Sequence, residues 1–485
     1  MDPVGTIALA IFLFAVVGSI RGWIPQRVLP IQTALLLAAV IITVAGLAFG
    51  EKIRFGEFVT ATSLHPITAT IAGFIFAGAL KSAGGFDAAT DMLKKIMRTP
   101  LGAPFAVMLL VNIPTVFAMP CGRIWVAPLL PVAMMIGYEL AREKNDRLLP
   151  SMVVFGLIVN AAASCGPSLI GGIGTLGEGM GRYPAGSFSN PQSIAIVVIT
   201  VAVMALIKYV FKIAVDPVEL QTRSDNAPGV PEHGYFSFIL FVAVLAVTVV
   251  VNPPIPLQAI LVILTVIVMI VARLSFNDLM QGIMLHPLTA MISGFIVAGA
   301  LSAFGGFAAL LQILEYIARN TPLGYMGVAL ILIYLPVIFP MPCGRILAVS
   351  LIPAALMYGE RLAEVTGHPE LQSVMLIAFI LSGAASCGPS PLGGIGCIGE
   401  GNLQLRGFVS GKPQALGILL GVPVAALMVS FMGLSASLFS FGFTAVSLTL
   451  CTICGILTNV LLGYRAYHPG GILGGAAIGI LMVIF

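Results

Sequence analysis

Charged residues are scarce in this chain: Asp, Glu, Lys and Arg make up 9% of its 485 residues, hydrophobic residues make up 59%, and the mean hydropathy is +1.08. A soluble globular domain carries roughly a quarter charged residues, so the composition excludes a soluble protein. The seven cysteines show no clustered spacing that would give a disulfide framework. A formal charge of +4 is too small to suggest a nucleic-acid partner.

Catalytic signatures are also missing. The sequence contains no metal-ligand cluster, no nucleophile paired with a base and no nucleotide-binding loop. We therefore expect no enzymatic activity, no cofactor and no bound metal. The cysteines beside Gly or Pro (Cys121, Cys165, Cys343 and Cys387) fit tight packing better than a soft-metal path, since an adjacent arginine repels a cation.

A long internal duplication organises the chain. The segment HPITATIAGFIFAGALKSAGGF from His65 recurs as HPLTAMISGFIVAGALSAFGGF from His286, an offset of 221 residues. The motif MPCGR begins at Met119 and again at Met341. The motif SCGPS begins at Ser164 and again at Ser386, so both recur at an offset of 222 residues. We divide the chain into a first repeat at 1–215, a polar cytoplasmic linker at 216–234, a second repeat at 235–435 and a C-terminal transmembrane pair at 436–485.

Apolar runs of about 20 residues mark candidate membrane helices. The first repeat has runs near 4–20, 28–49, 66–83, 150–166 and 192–214, and the second has runs near 236–252, 255–274, 286–303, 370–387 and 413–433, followed by two more near 437–462 and 469–485. The stretches 101–140 and 323–359 are either re-entrant hairpins or full helix pairs. Five crossings are an odd number, so the second repeat must be inverted. The predicted fold is an all-α polytopic membrane protein with two inverted repeats of five transmembrane helices and a hairpin each, plus two C-terminal helices.

Loop charges agree with this topology, because Lys and Arg concentrate on the cytoplasmic side. With the N-terminus outside, the inner loops collect 15 basic residues and the outer loops collect 5. The first run, 4–20, is followed by Arg21 without a small-residue cleavage pattern, so it reads as a retained helix and not as a signal peptide. We expect a protein of the cytoplasmic (inner) membrane.

Non-helical backbone inside a membrane is tolerated only where protein or a wet cavity surrounds it, and four segments of this chain qualify. Two are the hairpin tips, and two are glycine-rich interruptions of the fourth span in each repeat. Breaks of this kind expose carbonyl groups for cations and helix N-termini for anions, although the glycines could instead serve close helix packing. The candidate substrate-binding residues are Pro120, Cys121, Gly122, Arg123, Ser164, Gly171, Gly172 and Gly174, with Pro342, Cys343, Gly344, Arg345, Ser386, Gly393, Gly394 and Gly396.

Arg123 and Arg345 are the most informative candidates, because a charge near the bilayer centre is costly and its guanidinium group suits a carboxylate or phosphate. Glu178 and Glu400 recur after the glycine runs and are candidates for proton coupling. The alternatives are that these glutamates hold the arginines in internal salt bridges, or that they lie at the membrane surface.

The hairpin AMPCGRIWVAPLLPVAMMIG followed by AAASCGPSLIGGIGTLGEG resembles the substrate hairpin and broken helix of the ion transporter superfamily, which includes divalent anion/sodium symporters, citrate permeases and gluconate permeases. The resemblance covers residues 4 to 435. It implies a homodimer whose transport domains carry the anion by an elevator movement. The tips of this chain lack the Ser-Asn-Thr residues of the symporters, so the coupling ion could be H⁺ or Na⁺.

These observations predict a secondary active transporter of a small organic anion, a di- or tricarboxylate, that works as a homodimer in the lipid bilayer. The rival interpretation is an anion channel or a membrane subunit that works with a separate binding protein. Neither the identity of the anion nor the direction of transport follows from the sequence.

Overall fold

The computed structural model describes residues 2–25, 29–50, 64–116, 123–164, 189–215, 231–251, 255, 257–283, 285–338, 344–386, 403, 411–433 and 439–484. These residues form α-helices, one π-helical segment and turns, with no β-strand among them. An all-helical fold suits this apolar composition, because an α-helix pairs its backbone groups within its own segment.

The first half of the chain contains eight helices among its described residues. In chain order they are α1 (Pro3–Ile20), α2 (Ile31–Ala48), α3 (Leu64–Ser82), α4 (Gly85–Met97), α5 (Gly102–Val116), α6 (Arg123–Lys144), α7 (Leu149–Ala163) and α8 (Ser189–Ala205), and α8 continues into a π-helix at Leu206–Phe211.

The second half, over its described part, runs through the same order and adds a short helix and a C-terminal pair. Its helices are α9 (Gly234–Val251), α10 (Leu257–Val271), α11 (Phe276–Gly282), α12 (Leu285–Ala303), α13 (Gly306–Asn320), α14 (Gly324–Ile338), α15 (Gly344–Thr366), α16 (Glu370–Ala385), α17 (Gly411–Gly433), α18 (Phe439–Leu461) and α19 (Pro469–Ile484). A helix lies at every predicted apolar run, and each stretch predicted as a hairpin or helix pair contains two helices.

Several helices are long and apolar enough to span a membrane. By length and composition these are Ile31–Ala48, Gln192–Phe211 and Thr444–Leu461, and the bent pair Ile292–Ala303 and Gly306–Asn320 qualifies as a fourth if it counts as one span. Further apolar helical segments of the described residues, among them Gly102–Val116 and Leu149–Ala163, are 10 to 17 residues long. The chain is therefore consistent with a membrane protein.

Two amphipathic helices, α4 and α13, follow the third apolar helix of each half and were not among the sequence predictions. Each begins after a glycine in the left-handed region, Gly84 at φ 76° and Gly305 at φ 74°. This conformation lets the chain turn sharply, and the axis of α13 lies 77° from that of α12. Charged residues such as Asp91 and Lys95 made the α4 segment resemble a loop on hydropathy alone.

The two halves pack across each other reciprocally. Helix α2 packs on α12 while α10 packs on α3, and α1 packs on α13 while α9 packs on α4. The turning glycines share this pattern: Gly305 lies against Asp2 and Gly5 at the start of α1, and Gly84 lies against Pro231 just before α9. Helices α8 and α17 pack against each other, with Gly417 close to Val203 and Gly421 close to Ile199.

The C-terminal pair packs through glycine. On α19, Gly471 and Gly475 lie so close to α18 that a Cβ at either would overlap the backbone of Gly455 or Cys451. The neighbouring face of α19 places Gly474 on Met108 of α5. Small residues at four-residue spacing allow such close helix approach in membranes, and here they attach the pair to the first half.

Candidate functional site

Two buried helix ends form the described part of the candidate site. Every residue of α7 is buried, and so is α16 from Met375 to Ala385. Helix α7 ends before Ser164 and α16 ends before Ser386, the two serines that sequence analysis selected, and both are fully buried. Both helix ends therefore lie deep in the protein, and the backbone N–H of each serine bonds carbonyl groups of the last helical turn.

Both serines make the same local hydrogen bond. Ser164 Oγ donates to the Ala161 carbonyl oxygen at 3.0 Å, and Ser386 Oγ donates to the Gly383 carbonyl oxygen at 2.9 Å. The hydroxyl proton is used in each case, which leaves the oxygen lone pairs able to accept a hydrogen bond or contact a cation.

The predicted arginines lie where long helices begin. Arg123 is the first residue of α6, and Gly344 and Arg345 open α15. A positive side chain at a helix N-terminus opposes the helix dipole, which favours negative charge there. The backbone therefore places both arginines at helix N-termini, where free N–H groups favour an anion.

The other predicted site residues lie outside the described residues. They are the tip residues Pro120, Cys121, Gly122, Pro342 and Cys343, the glycines 171, 172, 174, 393, 394 and 396, and the glutamates Glu178 and Glu400.

A polar network that sequence analysis missed joins three helices of the first half. Asn160 of α7 accepts a hydrogen bond from Thr115 Oγ1 at 2.7 Å. Its Nδ2 donates to Asn112 Oδ1 at 2.9 Å and to Thr200 Oγ1 at 3.0 Å. All four side chains are buried. The network links helices α5, α7 and α8.

The equivalent positions of the second half are nearly apolar. At the 222-residue offset, Tyr334, Val337 and Val422 replace Asn112, Thr115 and Thr200, and Ser382 replaces Asn160. Within the described residues the buried Ser382 Oγ has no hydrogen-bond partner.

Two glutamines, Gln192 and Gln414, occupy the first turns of α8 and α17, each after a proline, and both are fully buried. Gln414 Nε2 donates to the carbonyl oxygen of Ala385, the last residue of α16. Neither Oε1 nor Nε2 of Gln192 has a partner within the described part of the chain. Sequence analysis also missed these residues, although the repeated Pro-Gln dipeptide was a usable signal.

A cluster of charged groups connects the first half to the C-terminal pair of helices. Lys208, in the π-helix, pairs with Asp146 at 3.0 Å and donates to the Leu461 carbonyl at the end of α18. The Tyr464 hydroxyl donates to Glu143 at 3.2 Å. The cluster ties the α6–α7 turn, the π-helix and the C-terminal pair together.

No protein-family model matches this chain, and a search of curated proteins finds no similar sequence. The site is therefore interpreted from its own chemistry: buried helix ends, buried amide and hydroxyl groups, and arginines at helix starts.

Proposed function

We propose that the chain is a secondary active transporter of a small organic anion, a di- or tricarboxylate. The observation that carries this proposal is the position of Arg123 and of Gly344–Arg345 at the N-terminal starts of two long helices. Guanidinium groups bind carboxylates with two parallel hydrogen bonds, and the helix N-termini add N–H donors. A substrate with at least two anionic groups fits two such positions better than a monoanion does.

The proposed architecture is a pair of inverted repeats. The reciprocal packing of α2 on α12 and α10 on α3 supports it, since two copies related by a pseudo-two-fold axis must exchange equivalent contacts.

This topology is testable with single cysteines placed at Asp225, in the linker, and at Asn252. An impermeant thiol reagent added to intact cells should label only the second. Labelling of both from outside would contradict the inversion.

Transport would follow an elevator movement of a homodimer, as the resemblance to the ion transporter superfamily implies. For coupling we favour a proton or an exchange over strict sodium dependence, because the hairpin tips lack Ser-Asn-Thr. Glu178→Gln and Glu400→Gln should then flatten the pH dependence of uptake. Uptake that vanishes without sodium, with an unchanged pH profile in both variants, would exclude this coupling.

The second candidate is an anion channel or the membrane subunit of a binding-protein-dependent carrier, which buried polar groups in a helical bundle also permit. Counterflow in proteoliposomes separates the two. Vesicles loaded with unlabelled citrate or malate should transiently accumulate the labelled compound if the protein is a carrier. A channel only equilibrates the label, so absence of overshoot in protein that does pass the anion would reject the carrier.

The arginine pair gives the sharpest test of the site. Arg123→Lys or Arg345→Lys should weaken binding while the protein stays folded, because the charge remains but the fork geometry is lost. Alanine at either position should lower affinity by about 10-fold to 150-fold, since a hydrogen bond to a charged group contributes roughly 1.5 to 3 kcal/mol.

The salt-bridge alternative forecasts a different pattern. Arg123→Ala and Glu178→Ala would then lower the melting temperature by similar amounts and leave affinity nearly unchanged. Normal affinity in a stable double variant with both arginines replaced by alanine would refute the binding role.

A further inference from the structure

We infer that Gln192 is a substrate-binding side chain and that it selects anions carrying a hydroxyl group beside a carboxylate. This inference rests on the proposed transport function and deepens it. It starts from a difference between two equivalent glutamines, Gln192 and Gln414. Both follow a proline, lie in the first turn of α8 or α17 and are fully buried.

Gln414 makes a hydrogen bond within the protein. Its amide faces the Ala385 carbonyl, which can only accept a hydrogen bond, so the facing atom must be Nε2. It therefore supplies a partner for one of the carbonyls that the end of α16 leaves unpaired.

The side chain of Gln192 makes no such hydrogen bond within the described residues. Both polar atoms of its fully buried amide lack partners within the described residues. Buried polar groups are almost always paired, and an exception calls for an explanation such as a missing ligand. Helical side chains lean toward the N-terminus of their helix, so this amide extends toward the start of α8, where free backbone N–H groups favour an anion.

The two glutamines do not share one small ligand. Gly417 lies by Val203 and Gly421 by Ile199, which makes α8 and α17 antiparallel. At a rise of 1.5 Å per residue the two glutamines are then about 21 Å apart along the pair. Gln192 acts in the first half by itself.

The chemistry of a free carboxamide defines the ligand class. Its Nε2 donates to an ionised carboxylate, but its Oε1 only accepts and would repel a second carboxylate oxygen. A hydroxyl group next to the carboxylate satisfies Oε1 as donor. The matched ligand is a hydroxycarboxylate, and a site built to bond a hydroxyl discriminates against the analogue that lacks it, because its own polar group is left unpaired.

Two pairs of probes isolate that hydroxyl group: malate with succinate, and citrate with tricarballylate. Binding to the detergent-solubilised full chain is measured by calorimetry and by the ligand-induced change in melting temperature. The wild-type protein should bind the hydroxylated member of a pair about 2-fold to 12-fold more tightly, the range of one neutral hydrogen bond.

The variants Gln192→Met and Gln414→Met form a matched comparison. Gln192→Met should abolish the preference and raise the melting temperature of the ligand-free protein, because it removes an unpaired buried amide. Gln414→Met should keep the preference and lower the melting temperature, because it leaves the Ala385 carbonyl unpaired. Gln192→Glu, of the same shape but anionic, should lose binding of all four probes at neutral pH.

The experiment distinguishes a failure of the proposed transport function from a failure of the role of Gln192. If the wild-type protein binds none of the four probes, the di- or tricarboxylate function fails and this inference fails with it. If it binds them but shows no preference, or if Gln192→Met keeps the preference, only the role of Gln192 is refuted. A melting temperature lowered by Gln192→Met would mean that the amide is paired, and would refute it too.

Discussion

Helix α5 in the first half and helix α14, at the equivalent position of the second half, are held by different interactions. Helix α5 contributes Asn112 and Thr115 to a hydrogen-bonded network with α7 and α8. Helix α14 has Tyr334 and Val337 at those positions, which lack that network's hydroxyl and amide pairing. The difference teaches that two copies of one backbone plan can be fixed by different forces: directional hydrogen bonds in one and apolar packing in the other.

The two helices also differ in how far their side chains are buried. Helix α5 is buried from Ala106 to Val111 apart from Leu109, and α19 places Gly474 on Met108. On α14 the apolar side chains of Met326 and Leu330 are 52% and 54% exposed. We interpret α5 as the more rigid of the two helices, since polar networks and close glycine packing both restrict movement.

The largest expected effect is from breaking the network at its centre. Asn160→Leu leaves Asn112, Thr115 and Thr200 without their shared partner, and we expect a loss of about 2 to 4 kcal/mol in the free energy of unfolding, given the cost of each unpaired buried group and the modest worth of hydrogen bonds in membranes. Thermal unfolding in detergent measures it.

Ser382→Ala is the control at the equivalent position. Because Ser382 Oγ has no partner within the described residues, its removal should change stability by less than about 1 kcal/mol. Equal destabilisation by the two variants would contradict the asymmetry between the halves.

A smaller effect is expected at the charged cluster, which is present only in the first half among the described residues. Lys208→Met removes the ion pair with Asp146 and the hydrogen bond to Leu461, while both remaining groups stay partly buried. We expect the free energy of unfolding to fall by about 1 to 3 kcal/mol, with the loss of stability concentrated in the C-terminal helices α18 and α19. Amide hydrogen exchange should rise in α18 and α19 and stay unchanged in α12 and α16.

Ser430 provides the control, because it occupies the position equivalent to Lys208 at the 222-residue offset. Ser430→Met should leave exchange in α18 and α19 as in the unaltered protein. Protection of α18 and α19 that survives Lys208→Met would show that glycine packing alone fixes the pair.

Sequence reasoning located the apolar helices because burial against lipid or protein demands long apolar runs, and the ends of α7 and α16 fell where Ser164 and Ser386 were selected. It missed α4 and α13, because residues such as Asp91 and Lys95 lower mean hydropathy while one face of the helix stays apolar. It also missed the Asn160 network. Its members are separated by tens of residues, and only the packing of three helices brings them together. Sparse polar residues within apolar helices were nevertheless a usable signal.

The smallest expected effect concerns the attachment of α4 to α9. Tyr235 donates to Asp91, and Lys95 pairs with Asp91 at 2.8 Å. The hydrogen bonds from Lys95 and then Tyr235 lower the pKa of Asp91 from its usual value. A carboxyl group with a lowered folded-state pKa contributes stability above its unfolded-state pKa, about 3.9, and loses that contribution as the pH falls through the folded-state value. Tyr235→Phe should therefore lower the melting temperature only slightly at pH 6, because exposed ion pairs contribute little to stability. This deficit should shrink below about pH 4. The equivalent residue on α13 is Gln312, which cannot titrate, so Gln312→Ala should show no pH-dependent difference from the unaltered protein. A Tyr235→Phe deficit that stays constant from pH 6 to pH 3 would mean that the tyrosine acts by packing and not through the Asp91 carboxylate.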